Sequence, residues 1–164
     1  MNRPVRPRKR IRLDLATYAV PGLVWQVTVG TRERQPVLGD PWIAETVIES
    51  IIFQCAKAKA ELLIFCVMPE HVHLVIVVGE EGDLISILHD FKSFTTNRWR
   101  KRTGQNKLWQ ESFHDHGVRR SERMDELVAY VLQNPVDAGL ATDWQDYPWI
   151  GGSLIDDNRA NPVS

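Results

Sequence analysis

The chain has 164 residues, enough to bury one hydrophobic core and too few for two independent ones. Its 43% hydrophobic and 25% charged residues are those of an ordinary water-soluble chain, and no apolar run approaches the roughly 20 residues that cross a bilayer, so no membrane partner is expected. The formal net charge of −1 hides a segregated distribution, because basic clusters lie at residues 3–12, 92–107 and 119–123 while Asp137, Asp143, Asp146, Asp156 and Asp157 gather late, which leaves room for a polyanionic partner.

In chain order, residues 1–12 form a basic arm with Arg8, Lys9, Arg10 and Arg12 and no acid. The arm has the charge of a signal peptide but neither its apolar core nor its cleavage site, so a cytoplasmic, nucleoid-associated protein is expected. VWQVTVGT at 24–31 is β-branched and aromatic and reads as a first strand. Asp40 and Pro41 then open a helix whose Ile43, Val47 and Ile51, flanked by Ile48 and Ile52, make an apolar stripe running to about Ala60. ELLIFCVM and HVHLVIVV are two strands separated only by Pro69 and Glu70, hence an antiparallel hairpin. Cys55 and Cys66 lie among apolar neighbours without metal-binding spacing and read as reduced core thiols.

Asp83 caps a second helix with Leu84, Ile87, Leu88, Phe91 and Phe94 on one face and Lys92 and Arg98 off it, ending near Gly104. A fourth strand is expected around Phe113 to Arg119. The order βαββαβ is the split-βαβ, ferredoxin-like pattern, an α+β fold whose antiparallel sheet carries two helices on one face and leaves the other free. Ser121, with Asp125 and Glu126 in the first turn, opens a third helix, expected to stop at Asn134 because the residue before Pro135 avoids the α region. A polar tail occupies 154–164, and the whole chain reads as a single domain.

Within this frame the MPEHVHLVI stretch sets His71 and His73 on one face of a strand and Val72 and Leu74 on the other. Such a pair is either a set of half-buried histidines bonded to neighbours or the start of a site. On the third helix, Met124, Leu127, Val128, Val131 and Leu132 form the core-facing stripe, with Tyr130 at about 240° and Asn134 at about 280° together on its flank. By themselves these two also suit an amphipathic tyrosine and a helix-terminal amide. Trp25, Trp99 and Trp109 are either core residues or stacking platforms for bases.

His-hydrophobic-His after MPE, LWQESFHDHGVRR, AYVLQNPVDAGL and the late DWQDYPW together resemble the single-tyrosine HUH transposases, specifically the REP-associated tyrosine transposases, from about Arg8 to Ser153. The resemblance implies a divalent metal, Mg²⁺ or Mn²⁺, held by His71, His73 and Asn134, and Tyr130 as the nucleophile that nicks single-stranded or hairpin DNA and keeps it as a 5′-phosphotyrosine for strand transfer. It assigns Arg8, Lys9, Arg10, Arg12, Lys92, Arg98, Arg100, Arg119 and Arg120 to DNA contact and leaves open whether the protein acts as a monomer or a homodimer. WQVTVGT departs from the aromatic-or-His plus Arg-Thr run of many members, which leaves the substrate contacts of the first strand open. The competing expectation is a non-catalytic hairpin DNA- or RNA-binding module on the same sheet.

Overall fold

The computed structural model describes residues 14–118 and 124–155. Its elements run β1 (Val24–Gly30), α1 (Pro41–Lys57), β2 (Glu61–Met68), β3 (His71–Val77), α2 (Leu84–Thr103), β4 (His114–Val118), α3 (Met124–Asp137) and β5 (Ile150–Gly151). The five strands form one sheet in the order β4-β1-β3-β2-β5, with every pairing antiparallel. The first four strands have the order expected of a ferredoxin-like split βαβ unit, and β5 extends the sheet beyond β2.

Alternation along the strands separates two cores. Trp25, Val27 and Val29 of β1 and Val72, Leu74 and Ile76 of β3 point toward α1 and α2, where they meet Ile43, Val47, Ile51, Leu84, Leu88 and Phe91. Ile64, Cys66 and Met68 of β2 and Val75 of β3 point the other way, toward Val131, Leu127, Val128 and Leu132 of α3. The helix starts follow from their caps: the Asp40 carboxylate accepts from Trp42 N–H and that of Asp83 from Ser86 N–H. Both cysteines are buried, and burial raises their thiols to about 12, so they stay protonated. Trp25 and Trp109 are core residues. No helix among the described residues is long and apolar enough to cross a membrane.

Three local expectations are corrected. Phe94 is 47% exposed, and Thr95 takes the core position, at about 20° from Leu84 on the helical wheel against about −80° for Phe94. The Thr95 hydroxyl donates to Phe91 O (2.8 Å) and accepts from Trp109 Nε1 (2.8 Å), which removes the cost of burying it. α3 does not stop at Asn134; it passes through Pro135 to Asp137. Near a helix end proline forfeits a single donor, and the ladder resumes beyond it with Ala138 N–H to Asn134 O. The helix closes in a Schellman arrangement, with Gly139 N–H to Val136 O, Leu140 N–H to Pro135 O, and Gly139 in the left-handed region at φ 72°.

The last correction is the tail, where Ile155 is buried in the second core instead of belonging to a polar end; just before it lies β5, a strand the sequence reading did not anticipate. The WQDYPW segment holds this edge in place: Tyr147 donates its hydroxyl to Val67 O, and Val67 N–H donates to Trp149 O at 2.8 Å.

Candidate active site

The free face of the sheet, opposite α1 and α2, carries His71 and His73, and α3 lies over the same face. The two imidazoles meet at Nε2, 2.9 Å apart, with the rings nearly perpendicular at 86°. Each outer nitrogen has its own oxygen: His71 Nδ1 faces Glu70 Oε1 at 3.0 Å, and His73 Nδ1 faces Thr28 Oγ1 at 3.2 Å. Thr28 reaches His73 because the two are paired across β1 and β3, where directly opposed side chains share a face. If both Nδ1 atoms carry the proton, both Nε2 lone pairs point into the same space.

The surroundings favour neutral rings. Burial lowers the pKa of His71, although the Glu70 carboxylate opposes this. Burial, reinforced by the charge His71 would carry, lowers His73 to about 4, with a hydrogen bond to Asn134 acting against it. His73 is 5% exposed and its neighbour only slightly more open.

α3 brings the other two residues. The Tyr130 ring sits edge-on to His73, with centroids 5.9 Å apart, and the residue remains 56% exposed. Asn134, one turn later, donates its Nδ2 to Tyr130 O at 2.9 Å, so its Oδ1 is the atom left to act as acceptor or ligand beside His73. Val131, buried between them on the helix, packs against the sheet and fixes the helix's rotation.

This donor set fits a divalent ion. Two nitrogens at bond lengths near 2.1 Å and a right angle would be about 3.0 Å apart, and the observed separation is 2.9 Å. Neutral imidazoles with their Nδ1 protons held by Glu70 and Thr28 are the form metals require. Among the described residues no group of three His, Cys, Asp or Glu side chains is arranged to hold a metal ion, Glu70 being engaged with the outer nitrogen of His71, so the oxygen donor available beside the pair is the Asn134 amide.

The basic residues are not gathered here. Lys92 is half-buried and donates to Gln110 O at 2.6 Å, which holds the loop after α2. Arg98 and Arg100 are exposed late in α2, the helix packed on the opposite side of the sheet, and Arg100 donates to Asn97. Arg8, Lys9, Arg10, Arg12, Arg119 and Arg120 lie outside the described residues.

Sequence reasoning missed Thr28 and Glu70. Period-2 alternation in β1 could have put Thr28 on the histidine face, but its pairing with His73 is a long-range register. It also missed Gln110. A Cβ on Gly30 would lie 3.0 Å from the Gln110 carboxamide, and Gly30 is opposite His71, so this amide covers the site's end of β1.

Fold and site define a class: a split-βαβ sheet whose His-x-His strand faces a tyrosine-bearing helix. Comparison with known proteins agrees, since the family model described as transposase IS200 like matches residues 19–134. The chain is 27% identical over 143 residues to the REP-associated tyrosine transposase of Escherichia coli (strain K12), spanning 80% of this chain and 78% of that protein. It is 26% identical over 106 residues to a putative REP-associated tyrosine transposase of Haemophilus influenzae, spanning 58% and 60%. The fold matches the structure of a REP-associated tyrosine transposase bound to a REP hairpin with a TM-score of 0.72 and 24% identity, over 90% of this chain and 85% of that one. The chain belongs to the IS200-like transposase family.

Proposed function

We propose that the protein nicks and rejoins single-stranded or hairpin DNA of the REP type through Tyr130, with a divalent ion bound by His71, His73 and Asn134. The observation that carries the reading is the convergence of both Nε2 atoms, the Asn134 amide and the Tyr130 ring on the free face of the sheet.

A bound ion would supply Lewis-acid polarisation of the phosphodiester. The chain's own residues do the rest. Tyr130 Oη forms the new bond to phosphorus, the bond from phosphorus to the 3′ oxygen breaks, and the phenolic proton leaves to the medium or to that oxygen. The phosphotyrosine preserves a phosphodiester's bond energy, so a 3′-hydroxyl can reverse the step and join strands without a nucleotide cofactor. Exposure of Tyr130 leaves room for a strand to reach it. Glu70 and Thr28 orient the imidazoles, and Asn134, bonded to the Tyr130 carbonyl, ties ligand to nucleophile within one helical turn. The hairpin in the structure of the related transposase supports a folded DNA element as substrate. A binding module without chemistry gives no reason for this convergence.

The test is incubation with a single-stranded palindromic oligonucleotide and Mn²⁺, followed by a denaturing gel. A covalent adduct is expected with the wild type and none with Tyr130→Phe; an adduct that survives the substitution refutes Tyr130 as nucleophile.

A further inference from the structure

The segment after β1 is tied down around the site and yet strained. Thr31, fully buried, takes its N–H to Glu70 O (2.9 Å) and its hydroxyl to Gln35 O (2.7 Å) and Glu70 O (3.0 Å). Arg32 N–H donates to Leu108 O, and Leu38 N–H to Pro69 O, both at 2.9 Å. The segment is thus fastened at both ends to the turn that delivers His71. Between the ties the chain makes a tight turn, Gln35 N–H to Arg32 O at 3.2 Å, with Glu33 at φ 54° and Arg34 at φ 56°. A turn with two left-handed central residues is normally built from glycine, asparagine or aspartate. Here it holds two long charged side chains, a strain that persists only where the surroundings impose it and that recurs at functional sites.

Arg34 is exposed, and among the described residues no carboxylate lies within ion-pair distance of it. It sits on the turn anchored through Thr31 and Leu38 to Glu70 and Pro69, the two residues that immediately precede His71. A cation with no carboxylate partner, carried at the histidine end of the hairpin by a strained, doubly anchored turn, is placed to receive an anion. Resting on the reading that the site takes a phosphodiester, we propose that Arg34 is the residue that binds the scissile phosphate, its planar guanidinium donating to the non-bridging oxygens as the phosphate lies over the histidine pair. Arginine suits this better than lysine because its fork matches two oxygens at once. The contact would strengthen as negative charge spreads over those oxygens during attack.

The experiment compares wild type, Arg34→Gln and Arg34→Lys on a single-stranded palindromic oligonucleotide, with circular dichroism to verify folding. Affinity is measured by fluorescence anisotropy across a salt series without metal, and adduct formation at saturating DNA with Mn²⁺. Arg34→Gln should lower the slope of log affinity against log salt by about 0.7, the value of one single-strand phosphate contact, and slow adduct formation about 100-fold. Arg34→Lys should keep the slope and still lose about tenfold in rate, since a point charge replaces the fork. An unchanged slope and rate in Arg34→Gln overturns the proposal and leaves Tyr130 chemistry standing. A lowered slope with an unchanged rate overturns it too, by moving the contact to another phosphate. A wild type that forms no adduct while Arg34→Gln still lowers the slope sinks the nucleophile and supports the phosphate contact.

Discussion

Acid should weaken this fold through His73 in a way that one substitution can isolate. The ring has an ordinary pKa of 6.5 in the unfolded chain and about 4 when folded, because it is buried beside His71. Across that interval the unfolded state binds the extra proton and the folded state does not, so stability is fully present above about pH 6.5 and drains away as the pH falls toward 4. At 1.36 kcal/mol per pKa unit the loss approaches about 3 kcal/mol, of which about 2 kcal/mol has gone by pH 5. The assay is urea unfolding of metal-free wild type and His73→Gln at pH 7 and pH 5. Other acid-titrating groups are common to both proteins, so the wild type should lose about 2 kcal/mol more than the variant over this range. His71, also lowered by burial, weakens both proteins in acid in the same direction and so drops out of the difference. Parallel pH dependence in the two proteins would refute the burial argument and show that the histidine pair is solvated.

Thr28→Val keeps the shape of the side chain but takes the oxygen from His73 Nδ1; Mn²⁺ affinity measured by calorimetry should fall 10- to 100-fold while the fold is retained. Tyr147→Phe removes the hydroxyl that bonds Val67 O and should cost about 1–3 kcal/mol in chemical denaturation, because a buried carbonyl of β2 loses its partner. Gly152→Ala should be harsher than either, at least about 2 kcal/mol or a failure to accumulate, because the residue sits at φ 119° and a Cβ would lie 2.5 Å from Leu63 O; a melting temperature equal to the wild type would show that the backbone there can relax.

How far the sequence could be read depended on the range of the interactions involved. β1 through α2 follow from alternation, helical spacing and the Asp40 and Asp83 caps, all of them local signals. The same is true of the face shared by His71 and His73, and of Tyr130 and Asn134 as neighbours one turn apart. β5 was invisible because Ile150 and Gly151 form a strand only against Phe65 and Cys66, some 85 positions earlier. Glu70 and Thr28 escaped notice as supports because neither carries a motif and their roles come from a hairpin turn and a cross-strand register. Arg34 escaped because its backbone conformation is not one its residue type announces. Pro135 was over-read: its rule against continuing a helix is strong in mid-helix and weak one turn from a glycine-closed end.

The short strand β5 bears on the protein's colloidal behaviour. From Leu63 to Met68 every residue of β2 is buried, a six-residue apolar β-forming run of the kind that templates intermolecular pairing when its edge is open. One edge of β2 is consumed by β3. Among the described residues the other is shielded by β5, the Trp149 carbonyl and the Tyr147 hydroxyl, with the Phe65 ring filling the place that a side chain on Gly151 would need. At the opposite margin of the sheet, β4 is five residues long and reads His-Asp-His-Gly-Val, too short and too polar to recruit a neighbour. The aggregation hazard is therefore concentrated on one margin and governed by release of a two-residue strap, a local opening with a smaller free energy than global unfolding.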